Sequence, residues 1–435
     1  MYIERANYRV RLCASAVLVV VASIMTSEPA AAQSAAVRCV KVHGVLLTES
    51  KSGWDSIKAA DDVPANQSVL ALFGAELKSI NGAVDAKLVA DIGQRGPFPV
   101  LESAARFGAP ETGYDLDITV ERGIVVLTNT KKSGAAKVKL KIRDDSVDLV
   151  LHEPKARVAI EMYGRLLPGM PSIDDAKKDI PVTTVAMFAL EGDTTVGTGK
   201  KSARLNAPPG PALLLWDSVT RESEIHRHES LPDSVKPMDA KEKQVFAAIC
   251  EHAKTWFADP KKATATIENS ATSKDPLERK AAAVALGAID MPRLFTLLDD
   301  KNNADLRDTA ILAFRHWLGR ESGQSSRLFE YLTKTEKYTP VQARNLVYLL
   351  AGIEEEKRRQ PQTYVMLIQA LNASKLPTRE LARWHLDRLV PDSKAIGFNA
   401  AAPEETRLEK MAEYRKLVPE GELPKAKAPK KSSNP

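Results

Sequence analysis

Two hydrophobic periods divide the chain near residue 238. Between residues 37 and 229 apolar positions come in short alternating runs. Residues 115–121 place Leu116, Ile118 and Val120 on one face, the two-residue period of a half-buried strand. Arg122-Gly123 then reads as a turn into 124–127, a run apolar on both faces that predicts a central, buried strand. Val138, Leu140 and Ile142 alternate with lysine and arginine, and further runs follow at 147–151 and 157–162. Glycine and proline punctuate the segment at Gly93, Gly96-Pro97, Pro110, Gly113, Gly134, Pro154, Gly164 and Pro168-Gly169. This spacing predicts an all-β sandwich or roll over 37–167. Residues 168–181 read as a linker, and 180–230 as a small β extension.

From Asp239 the period becomes helical. Asp239 fits an N-cap, with Val245, Ile249, Ala253 and Trp256 at three- to four-residue spacing behind it. Arg279-x-x-Ala282 recurs as Arg307-x-x-Ala310 and Arg379-x-x-Ala382, with a fainter copy at Pro340-x-x-Ala343. Shorter apolar segments lie between these copies. Paired helices repeating at this interval predict a stacked α-solenoid over 239–418. The groove of such an array is expected to be lined from the Arg-x-x-Ala helices. Residues 419–435, rich in Lys, Ala and Pro, predict a disordered basic tail.

Residues 1–32 have the pattern of an export signal. Arg5, Arg9 and Arg11 precede an apolar run from Leu12 to Met25, and Pro29-Ala30-Ala31-Ala32 offers small residues for cleavage after Ala32. The run is about 14 residues, whereas a membrane span takes roughly 20. The mature protein is therefore expected in the periplasm or cell envelope, without a stable transmembrane span. The net charge of +6 is mild for a chain with 27% charged residues, so nucleic acid is not an expected partner. Of the three cysteines, Cys13 lies in the signal. Cys39 and Cys250 fall in different expected domains and read as two isolated buried thiols rather than a disulfide.

The chain offers few sites for chemistry. Glu224, His226 and His228 would share one face of a strand beside Glu229, an arrangement that suits zinc or copper but also fits a solvated strand end. Gly197-Thr198-Gly199-Lys200-Lys201-Ser202 lacks the first glycine of a phosphate loop and reads as a hairpin turn. The pairs Asp61-Asp62, Asp144-Asp145 and Asp174-Asp175 sit where turns put aspartate. Arg315-His316-Trp317 and Arg383-Trp384-His385 read either as a cationic, aromatic groove or as packing between helices. No catalytic, cofactor-binding or metal-binding residue is assigned, and no cofactor is expected.

The stretch from Gly44 to Gly164 resembles the FecR-type sensor domain of bacterial envelope proteins. The resemblance rests on "GVLLTES", on Trp54 with Ile57 to Pro64, on "LESAARF", on "YDLDITVERGIVVLTN" as a hairpin, and on "VDLVLHEPKARVAIEMYG". The stretch "PLERKAAAVALGAIDMPRLFTLLDDKNNADLRDTAILAFRHWLGR" is similar to HEAT-like repeats. Together these imply a FecR-like β domain followed by a HEAT-like solenoid. The implied function is non-enzymatic recognition or scaffolding of an envelope protein or peptide, with ligand sensing through the β domain. Two other readings stand beside it: an exported carbohydrate-active hydrolase of the cell wall, and a sensing subunit of an envelope signalling pathway. Only 11 residues precede the apolar run, which leaves no room for an anti-sigma segment there.

Overall fold

Alternation is most regular in β10 (Ala136–Ile142), where every second side chain is buried. Its hairpin partner is β11 (Asp145–Leu151). The computed structural model describes residues 34–425, apart from 51–52, 91–100, 199–200, 208–209, 211–212, 221, 228–230 and 232–234. The expected signal at 1–32 and the tail beyond 425 lie outside the described residues.

The strands form two sheets. The first runs β4 (Asp62–Pro64), β1 (Ala35–Val42), β6 (Ala75–Ser79), β7 (Val84–Val89), β9 (Leu116–Asn129), β12 (Arg157–Arg165), β13 (Val182–Glu191), β16 (Leu213–Asp217), β17 (Ser223–His226). The second runs β3 (Gly53–Ile57), β2 (Val45–Ser50), β5 (Ser68–Leu72), β8 (Ser103–Gly108), β9 again, β10, β11, β14 (Asp193–Thr198), β15 (Lys201–Asn206). Only the β9–β10 pair is parallel among these. The residues expected as a small β extension thus supply the outer strands of both sheets.

β9 belongs to both sheets, which corrects the expected hairpin at Arg122-Gly123. Its first half pairs with β8 and β10, and its second half with β7 and β12. The chain does not reverse at Gly123 but bends, with φ +90°. A side chain there would overlap the Glu102 carbonyl and Ser103, so only glycine fits this crossing. Ile124, Val125 and Leu127 are fully buried, as a central strand requires. Between the sheets lies an apolar core that includes Leu77, Leu88, Phe107, Ile118, Leu140 and Leu149.

The helical region comprises α1 (Ala240–Trp256), α2 (Ala263–Ala271), α3 (Pro276–Ile289), α4 (Met291–Leu298), α5 (Ala304–Leu318), α6 (Gln324–Lys334), α7 (Pro340–Ala351), α8 (Glu355–Arg358), α9 (Pro361–Ala370), α10 (Leu376–Leu389) and α11 (Glu404–Leu417). None is long and apolar enough to cross a membrane among the described residues. Asp239 caps α1 through a reciprocal pair with Glu242. Val245 is 40% exposed, however, while Ile249, Ala253 and Trp256 are buried. Helices α1, α3, α5, α7 and α10 stack in succession. α2, α4, α6 and α9 each pack on the helix that follows.

The recurring arginines explain their own spacing. Arg279 donates to the carbonyls of Ser273 and Lys274, Arg307 to that of Asp300, and Arg379 to those of Ala373 and Ser374. Each guanidinium folds back onto the loop that precedes its own helix. The same geometry appears at Arg407, which donates to the carbonyl of Ala402. These groups satisfy backbone oxygens that the helical ladder leaves over. Arg307 is 1% exposed and also bonds Glu380, which is fully buried. Arg279 and Arg307 are therefore buried staples between helix and preceding loop, and Arg379 makes the same staple from a partly exposed position.

Candidate functional site at the β–α junction

The described residues from Ser34 onward belong to one compact unit. β2 and β5 turn Val45, Leu47, Leu70 and Leu72 away from the inter-sheet core and into the core of the helices, with Phe73 beside them. Phe73 meets Trp256 edge-on, with ring centroids 6.3 Å apart, and the Cys250 thiol lies 3.6 Å from the Phe73 carbonyl.

At another part of the junction the contacts are ionic. Glu102, just before β8, is fully buried. Its Oε1 accepts from Arg320 at 2.6 Å and Arg122 at 2.9 Å, and lies 3.2 Å from His316 Nε2. Arg320 and His316 come from the end of α5, and Arg122 from the bend of β9. Burial alone would raise the Glu102 carboxyl, but Arg320, His316 and Arg122 outweigh it and hold the group well below the usual carboxylate range. Burial pulls the Arg320 guanidinium down to about 10, against the opposing pull of Glu102.

Two glycines let these elements meet. A side chain on Gly164 of β12 would overlap the carbonyl of Gly319, and one on Gly319 would overlap that of Gly164. A strap completes the junction. β12 and β13 are antiparallel neighbours, a pairing that a hairpin loop of about 2–5 residues can close. Residues 166–181 instead detour across the helices. Gly169 N–H donates to Gly352, Ser326 Oγ to the carbonyl of Ile173, and Ser325 N–H to Asp179 Oδ2. Arg344 donates to both oxygens of Asp174 at 2.9 and 3.0 Å. Ile173 is buried in the helical core. The segment that reads as a linker is a latch.

Between the sandwich and α5 lies a cleft of about 630 Å³, within the range of ligand pockets. Arg106, Arg122, Arg143, Arg320 and Arg327 line it, together with Trp54 and Trp317. Its carboxylates are largely engaged: Glu121 pairs with Arg106 at 3.1 Å and Glu321 with Arg327 at 2.7 Å.

The other residues singled out from sequence are dispersed. His226 lies 3.3 Å from Glu224 on β17, while His228 and Glu229 lie outside the described residues. No group of three or more His, Cys, Asp or Glu residues is placed to hold a metal among the described residues. Thr198 pairs with Lys201 across the β14–β15 hairpin, whose Gly199 and Lys200 lie outside the described residues. Asp62 pairs with Arg38, Asp144-Asp145 sits at the β10–β11 turn, and Asp174-Asp175 on the strap. His385 bonds the Leu349 carbonyl at 2.7 Å, and Trp384 stacks against Arg388 and Arg315, so this triplet packs the helices. Trp317 is 8% exposed and still reaches the cleft. Cys39 and Cys250 are both buried and unbridged; burial pushes their thiols up to about 11 and about 12. Sequence reading missed Glu102, Arg143 and Arg320. The one local signal was a lone glutamate among the apolar residues of "LESAARF". No protein-family model and no curated protein matches the sequence.

Proposed function

We propose that this chain is an exported, non-enzymatic envelope protein that recognises or scaffolds a protein or peptide partner. In this reading a FecR-like sandwich is fixed to a HEAT-like array, and ligand binding at the sandwich is read out by the whole unit. The observation that carries it is the stacking of α1, α3, α5, α7 and α10 with a recurring arginine staple. Arrays of this kind present an extended surface, and each unit contacts mainly its neighbours. A rigid mount supports the same reading, because a sensor must transmit a binding event rather than absorb it in a linker.

The test is crosslinking in the intact envelope, followed by capture of the full chain. A discrete, stoichiometric partner is the expected result; recovery no different from a mock capture sinks the recognition reading. Sequencing the N-terminus of the exported chain tests localisation. A start at Gln33 is expected, and a start at Met1 overturns it.

A further inference from the structure

Most ionic groups of the junction cleft are already bonded to the protein itself. Arg106 donates to Glu121 Oε1 at 3.1 Å and to Ser68 Oγ at 3.1 Å, and Ser68 donates to the same glutamate oxygen at 2.7 Å. Arg327 donates to Glu321 Oε1 at 2.7 Å and to Gln324 Oε1 at 3.1 Å. Arg122 and Arg320 donate to Glu102, and Arg143 to Thr183 and the Arg320 carbonyl. What these bonds leave over includes three neutral donors. Gln324 is 3% exposed, and its amide oxygen is taken by Arg327, so the assignment of its amide nitrogen as the free side is fixed. That nitrogen donates to nothing among the described residues, and neither do the indole N–H groups of Trp54 and Trp317; all three residues line the cleft. A nearly buried amide donor without an acceptor is costly unless something else fills the role. The cleft also holds two spare acceptors, because Oε2 of Glu121 and Oε2 of Glu321 accept from nothing among the described residues.

We propose that the cleft binds an N-acetylated sugar, its acetamido carbonyl accepting from the neutral donors and its ring hydroxyls donating to Glu121 and Glu321. An amide carbonyl has two lone pairs and no charge, which matches donors that are themselves uncharged. Sugar hydroxyls both donate and accept, so they suit a lining that offers spare groups of both kinds. Trp54 and Ile289, both half-buried, add apolar surface for the acetyl methyl and the C–H face of the ring. An anion would instead have to compete with Glu121 and Glu321 for the guanidinium groups that those carboxylates hold. This ligand is additional to the protein partner proposed above, and neither reading depends on the other.

The experiment is a calorimetric titration of the full chain with the β-1,4-linked trimer of N-acetylglucosamine. Cellotriose, which has the same linkage and a hydroxyl in place of each acetamido group, and the glucosamine trimer are the comparison ligands. Saturable binding of the acetylated trimer is expected, with one site per chain and an affinity that salt does not change, because the ligand is neutral. Cellotriose and the glucosamine trimer should each bind at least tenfold more weakly. Gln324→Glu keeps an oxygen for Arg327 and replaces the free donor by an acceptor; it should weaken the acetylated trimer at least tenfold while leaving the thermal midpoint in place. Should that variant fail to fold, the wild-type contrast among the three trimers still decides the matter. No saturable binding of the acetylated trimer, equal affinity for cellotriose, tighter binding of the glucosamine trimer, or unchanged binding by a folded Gln324→Glu overturns the proposal. Binding of the acetylated trimer through Gln324 upholds it even where envelope capture stays at mock level and the recognition reading falls.

Discussion

The inter-sheet core and the β–α junction solve the same problem with different chemistry. Leu77, Phe107, Ile118, Leu140 and Leu149 close the sandwich with apolar surface alone. The junction also has an apolar patch, from Leu72 and Phe73 to Trp256. It adds Glu102 among two arginines and a histidine, a glycine pair in backbone contact, and a strap. Apolar burial is non-directional, so it holds two surfaces together without fixing one angle between them. Hydrogen bonds to a buried carboxylate are directional and expensive to break. The junction is therefore specified in orientation, whereas the sandwich is specified in register by its strands.

Glu102→Ala gives the sharpest contrast. It leaves Arg320, Arg122 and His316 around an empty acceptor, and the expected loss is about 3–5 kcal/mol in urea denaturation. Leu140→Ala in the sandwich core removes a comparable volume for about 2–4 kcal/mol. The two should also differ in kind. Glu102→Ala should expose the 166–181 strap to protease below the global transition, and Leu140→Ala should not. Identical cleavage patterns in the two variants would break the comparison.

Within the helices, charge also governs one buried point. His385 is 5% exposed, and burial lowers its imidazole to about 4 from the ordinary 6.5, with the Leu349 hydrogen bond opposing. Below pH 6.5 the unfolded chain takes up a proton at this site that the folded chain refuses. Stability from this site is thus fully present above pH 6.5 and falls as the pH drops toward 4, by an order of about 3 kcal/mol. Melting curves of wild type and His385→Gln across that window should converge toward acid. Parallel curves would show that His385 titrates normally and that its pocket admits water.

Arg279→Met comes next in size. It removes two backbone-directed bonds of the staple and the ion pair to Asp305, for about 2 kcal/mol. Hydrogen exchange should quicken at the start of α3 and leave the β strands unchanged. If β9 quickens as well, the array and the sandwich are more tightly coupled than the two kinds of contact imply.

The two-region organisation could be read from the chain because each region repeats a local period. Val138, Leu140 and Ile142 announce β10, and Arg279, Arg307 and Arg379 announce the staple, although not which way it points. What joins the regions has no period. Glu102 and Arg320 meet across 218 residues, and nothing near either residue encodes the other. Gly123 reads as a turn because glycine at positive φ serves turns and bends alike; only its pairing partners tell which. The strap reads as a linker because proline and glycine mark irregular backbone without saying what it touches.

The smallest test bears on that strap. Ser326 donates from α6 to the carbonyl of Ile173 at 2.7 Å, and Ser326→Ala should cost about 1 kcal/mol. An effect of this size barely moves a melting curve, so the informative readout is local. Ile173 N–H exchange and cleavage after Lys177 or Lys178 should both speed up several-fold, because the strap opens without the helices unfolding. The Glu102 cluster lies elsewhere on the junction and should keep its protection. Strap opening accompanied by loss of protection at Arg122 N–H would mean that latch and ionic cluster act as one cooperative lock, and the junction would then behave like a core after all.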